Sequence, residues 1–113
     1  MLELDDSHDK NFIYCGQCSH VITQAAQRIE VNGSHAHLFT NPYGIEFHVG
    51  CFAQALGCDI SGAAEAADTW FMGYFWRIAS CAECHAHLGW YFAQANGEDY
   101  FYGLILDRIQ EDR

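Results

Sequence analysis

Residues 74–92 read YFWRIASCAECHAHLGWYF, a C-x-x-C pair set between two short runs rich in aromatic and branched residues. The flanking runs YFWRIA (74–79) and LGWYFA (88–93) have the length and residue types of strands. The same reading extends outward to FIY (12–14), QRIEV (27–31), HAHLFT (35–40), IEFHV (45–49) and YFYGLIL (100–106). ANGED (95–99) reads as a hairpin connection between the last two strands, and TNPYG, with the single proline Pro42, is a turn. SGAAEAAD (61–68) has room for at most a turn or two of helix. No internal repeat, low-complexity tract or interior linker interrupts the pattern. The expected fold is a small, mostly β, antiparallel domain over 11–110, with a flexible acidic tail at 1–10 and a short tail at 111–113.

At 113 residues, half of them hydrophobic and 18% charged, the chain can bury one real core but hardly two. Its 5 basic and 15 acidic residues give a net charge of −10, a field that repels phosphate backbones and argues against nucleic acid. No apolar run approaches the ~20 residues of a membrane span, and the acidic start does not read as a signal peptide. The expected setting is the reducing cytoplasm, where paired cysteines point to a metal rather than to disulfides.

CGQC (15–18) and CAEC (81–84) are two such pairs. Each presents two thiolates from one tight turn, and two facing turns make a tetrahedral sulfur cage that favours zinc. Four protein ligands, Cys15, Cys18, Cys81 and Cys84, leave no open coordination position, so the site is read as structural. CAECH (81–85) also matches the c-type haem attachment pattern, but haem leaves Cys15 and Cys18 unexplained and requires export. Cys51, in an apolar stretch, reads as a packed thiol, whereas Cys58 carries no strong reading. The pairs His35/His37 and His85/His87 admit a second metal in principle. The plainer reading is surface histidines, with His85 or His87 placed to orient the adjacent thiolates.

The stretch TWFMGYFW (69–76) is aromatic at five of eight positions. A turn near Met72-Gly73 would set Trp70 and Trp76 opposite one another, and Trp90 comes from a strand that begins soon after the second cysteine pair. On this reading Phe71, Tyr74 and Phe75 pack to hold the segment in place.

An early C-x-x-C, then NPYG (41–44), TWFMGYFWRIASCAECHAHLGWYF (69–92) and FYGLILDRI (101–109) together resemble the cereblon thalidomide-binding, or CULT, domain family. The likeness runs from Cys15 to about Ile109, and the organisation looks most like the short bacterial single-domain form. The resemblance implies a zinc-bound β-tent of two antiparallel sheets. It also implies a cage for a cyclic imide, with Trp70, Trp76 and Trp90 as three walls and Phe92, or its neighbour Tyr91, closing it. Asn41 would sit at the mouth on a turn shaped by Pro42, and the imide edge would meet the carbonyl of Asp68 and the backbone of Trp70. Where eukaryotic members have proline this chain has Met72, and Asp68 replaces an aromatic or histidine.

The function expected is therefore a binding module for glutarimide, thalidomide-type or uracil-like rings, free or carried on a protein. No ubiquitin-ligase adaptor is implied by this chain. Two other readings compete. One is an aromatic-cage reader of methylated amines, which the acidic charge would help. The other is an enzyme like methionine sulfoxide reductase B, which shares the β-tent but needs a nucleophilic cysteine beyond the second pair, where this sequence has none.

Overall fold

A computed structural model describes residues 11–111. Nine strands build it, with no α-helix among the described residues: β1 (Phe12–Cys15), β2 (Val21–Gln24), β3 (Ala36–Thr40), β4 (Glu46–Phe52), β5 (Cys58–Glu65), β6 (Tyr74–Cys81), β7 (His87–Gln94), β8 (Tyr100–Ile105) and β9 (Ile109–Glu111). They form two antiparallel sheets, one of three strands in the order β2-β1-β9 and one of six in the order β3-β4-β8-β7-β6-β5. The mostly β, two-sheet architecture expected from the sequence is the one observed. The 1–10 tail lies outside the described residues, as does the C-terminal tail except Glu111, which closes β9.

Four local expectations are corrected. Residues 61–68 do not turn into helix. Their first half continues β5, paired with β6 from Cys58↔Cys81 to Glu65↔Trp76 across an irregularity that contains Gly62 at φ +83°. The pairing partner outweighs the helical preference of four alanines in an isolated segment too short to nucleate a helix. Residues 27–31 are not a strand: a 3₁₀ turn at Ala25–Gln27 leads into single bridges, Arg28↔Phe52 and Val31↔Ser34. Leu106 leaves β8 for a second 3₁₀ turn, Leu106–Arg108. Phe75 packs less than expected and remains 37% exposed.

The six-stranded sheet is covered on both faces. On one side, Ile13 and Ile22 of the small sheet pack with Phe52, Leu88, Tyr102 and Leu104. On the other, Phe71 packs with Cys51, Phe92 and Phe101, and the half-buried Trp70, Trp76 and Trp90 pack around them. A bulge in β7 makes this division possible. Ala79 pairs with Gly89 but Ser80 pairs with His87, so Leu88 is an extra residue in the ladder. Strict alternation would put Leu88 on the same side as Trp90 and Phe92. The bulge instead lets Leu88 join the core between the sheets while both aromatics face away from it.

The sheets also meet at Gly57, whose N–H donates to the Ile22 carbonyl at 3.0 Å. A Cβ there would fall 2.1 Å from the Val21 carbonyl oxygen, a backbone atom with little room to give. Gly57→Ala is expected to destabilise the fold by about 3 kcal/mol, at the upper end of overpacking costs. Urea unfolding should register this as a lower midpoint with an unchanged slope; an unchanged midpoint would mean that the sheets shift apart freely.

Candidate functional site

Both cysteine pairs occupy the same kind of turn. In each, the amide two residues after the first cysteine donates to that cysteine's sulfur, Gln17 N–H to Cys15 Sγ and Glu83 N–H to Cys81 Sγ, both at 3.4 Å. The amide after the second cysteine closes the turn on the first cysteine's carbonyl, Ser19 to Cys15 and His85 to Cys81, both at 2.9 Å. Those two closing residues share φ +67°. One turn joins β1 to β2 and the other joins β6 to β7, so the pairs come from different sheets.

The four sulfurs lie within 4.8 Å of one another, with Cys15–Cys84 at 3.7 Å and Cys18–Cys81 at 3.6 Å. Tetrahedral bonds of about 2.3 Å to a central ion require sulfurs about 3.8 Å apart, close to the two separations just given, so the cluster could hold a metal ion. Among the described residues it is the single group of three or more ligating side chains so arranged.

The histidines serve other ends. His85 contributes its left-handed backbone to the turn. His87 Nε2 bonds the Gly89 carbonyl at 2.9 Å, and the ring stands edge-on to Trp90 with centroids 5.0 Å apart. Burial lowers the His87 pKa and favours the neutral ring. Neither side chain orients a thiolate, contrary to the sequence expectation; backbone amides do so. Burial pushes Cys51 and Cys58, the thiols outside the cluster, up to about 12, so both are protonated at neutral pH and poor nucleophiles.

On the opposite face of the large sheet lies a cavity of about 350 Å³ lined by Asn41, Pro42, Tyr43, Asp68, Trp70, Trp76, Trp90 and Phe92. These are the seven residues singled out from the sequence, joined by Tyr43. Trp76 comes from β6, Trp90 and Phe92 from β7, and Trp70 from the segment joining β5 to β6. Tyr91 points the other way, onto Tyr100 and Tyr102, and so is not the lining ring.

Each indole is held by specific neighbours. Trp70 stacks on Phe39 at 4.7 Å with 8° between planes, and meets Trp90 edge-on at 4.7 Å. Phe47 packs edge-on to Trp90 at 5.3 Å and tilts against Trp70, and the Arg108 guanidinium lies 5.8 Å from its ring centre. Trp76 Nε1 donates to the Ala67 carbonyl at 2.8 Å, which fixes its ring to the segment that also carries Asp68 and Trp70. That segment closes through a turn at Gly73, φ +89°, where Tyr74 N–H bonds the Phe71 carbonyl at 3.0 Å and the Gly73 carbonyl accepts from Ala95 at 2.8 Å. Sequence reading missed Phe39 and Phe47, although strand alternation places both on one face of their hairpin. Opposite-strand pairing, Phe39↔Phe47, is a register fact that no local motif encodes.

Asn41 has a mainly architectural side chain. Its Oδ1 accepts from the amides of Tyr43 and Ile45, both at 2.9 Å, and this holds the β3–β4 turn that brings Tyr43 to the cavity. With Oδ1 so engaged, the side chain turns only N–H donors outward. Among the described residues, no hydrogen bond occupies the Asp68 carbonyl or the Trp70 amide.

No family model matches the chain. It is similar to cereblon of chicken (Gallus gallus), 29% identical over 119 aligned positions covering 96% of this chain and 26% of that protein. Zebrafish (Danio rerio) cereblon is 27% identical over 114 positions, covering 95% and 26%. The frog (Xenopus tropicalis) protein is 28% identical over 75 positions, covering 64% and 17%. The chain thus spans about a quarter of the length of the first two relatives, and the similarity runs along nearly all of it.

Proposed function

We propose, for a chain of the cereblon-like (CULT) family, that the aromatic cavity binds the ring of a cyclic imide and that the four cysteines hold a structural zinc ion. The observation that carries the ligand reading is the pairing of apolar walls with an unoccupied backbone edge. Indole faces suit the methylenes of a glutarimide, while the Asp68 carbonyl and Trp70 amide suit its alternating donor and acceptor edge. The position-by-position family likeness supports the same assignment of Trp70, Trp76, Trp90 and Phe92 as walls. Soft thiolates in a tetrahedral set support zinc over harder ions, and a closed set of four gives it no catalytic opening.

A ring of eight heavy atoms at roughly 1 kcal/mol each gives about −8 kcal/mol, near micromolar affinity. Glutarimide or thalidomide titrated into the chain is expected to quench tryptophan fluorescence saturably in the micromolar range. A flat signal up to millimolar ligand removes the imide reading. Uracil in the same titration measures how far the site tolerates a related edge.

A second reading, a reader of methylated amines, is favoured by the exposed acid Asp68 at an aromatic cavity. Titration with trimethyllysine separates the two: tighter binding of the cation than of glutarimide would select it. The enzyme reading lacks an activated group, since neither Cys51 nor Cys58 is poised as a thiolate. A domain of this kind would take as partner a free imide or a protein that carries one.

A further inference from the structure

The cavity has a charge asymmetry that its aromatic walls do not require. Asp68 is its one ionisable acid, it is exposed, and no described residue forms an ion pair with it. No lysine or arginine lines the cavity. Arg108 is engaged over the Phe47 ring and on the His87 carbonyl at 3.0 Å. Arg77 is likewise committed, to the Gly62 carbonyl at 2.7 Å. Glu65 adds a second acid on the same segment, as the register partner of Trp76.

The backbone holds Asp68 in this position. Its φ of +56° is left-handed, a conformation that aspartate and asparagine tolerate better than most residues. Three residues on, Phe71 is 1% exposed in the core, and one residue before, the Ala67 carbonyl accepts the Trp76 indole N–H. The acid is therefore anchored on both sides and cannot drift from the mouth without disturbing a wall.

Of the lining residues Pro42, Tyr43 and Asp68 are exposed, so a substituent that reaches solvent from a ring in the cavity would pass beside them. We propose that Asp68 is a specificity-determining residue, favouring imide rings whose outward substituent carries a positive charge. The inference rests on the imide reading above and deepens it. The wall residues hold the ring and set whether it binds. Asp68 sorts among rings by what is attached to them, and a carboxylate in a solvent-exposed mouth rejects anionic substituents by the same interaction.

The test uses two ligands alike in ring and length, 3-(propanoylamino)glutarimide and 3-(glycylamino)glutarimide, the second with a protonated amine in place of the terminal methyl. At low ionic strength the native chain should bind the cationic compound about three- to tenfold tighter, the range for unit charges ~6 Å apart in a largely aqueous setting. Half-molar salt should erase most of that preference. Asp68→Asn keeps the left-handed preference and the shape; because Asp68 also lends its carbonyl to the ring, the readout is the ratio of the two affinities, and the cationic preference should fall at least threefold. A preference that persists in D68N would belong to the overall charge of −10 and would overturn the assignment. Equal binding of both compounds by the native chain would also overturn it, with the imide reading intact. If the neutral compound fails to bind the native chain at all, the imide reading fails and this one with it.

Discussion

Cys81→Ser is expected to abolish cooperative folding. Cys81 is fully buried, accepts two amide hydrogen bonds at its sulfur, and belongs to a cluster drawn from both sheets. Structural zinc contributes on the order of 10 kcal/mol to a small domain, comparable with the whole stability of a chain this size. The expected result is a protein without bound zinc and without a sharp thermal transition. A strong chelator should produce the same state in the native chain, reversibly on addition of zinc. Retention of a native-like melting temperature in C81S would show that the two hydrophobic clusters suffice alone. Metal analysis of the native chain separates the remaining cases, because the zinc proposal requires one zinc per chain.

Trp90→Ala should remove imide binding from the measurable range. Trp90 lines the cavity and is also the ring against which Trp70, Phe47 and His87 pack edge-on. Truncation removes one wall and frees a second, so the loss should exceed that of a single contact. Carrying a micromolar ligand to millimolar takes about 4 kcal/mol, which lies within the range for a central aromatic anchor whose loss also frees a second wall. Calorimetric titration avoids reading the loss through the deleted fluorophore. The fold should survive, because the cysteine cluster and the core between the sheets are untouched, although stability should drop by roughly 3 kcal/mol. Micromolar binding by a folded W90A chain would place the ligand elsewhere.

The features legible in the sequence were those fixed by local chemistry. Two C-x-x-C turns, a proline-asparagine turn and runs of β-branched and aromatic residues each carry their reading within a few residues. The elements that were missed owe their conformation to partners distant in sequence. β9 is only three residues long and is a strand because Ile13–Cys15 lie beside it. β5 looks helical by composition and is a strand because β6 offers it an edge. The Leu88 bulge is likewise invisible locally, since it exists only as a mismatch between two ladders. At the cavity, the indoles stood out by type, whereas Phe39, Phe47 and Tyr43 did not. Their importance lies in what they touch, and common residues acquire that only after folding.

If the cavity takes a ring as proposed, the origin of its walls bears on how quickly a ligand can come and go. Trp76, Trp90 and Phe92 stand on adjacent strands of a continuous sheet, and only Trp70 stands on a connecting segment. That segment is tied at Ala67 by an indole, at Phe71 by the core and at Gly73 by a backbone bond, so the site is set before a ligand arrives. A receptor in this state has little ordering left to do on encounter, and its association rate should change little across related rings. Differences among ligands would then appear almost wholly as differences in residence time.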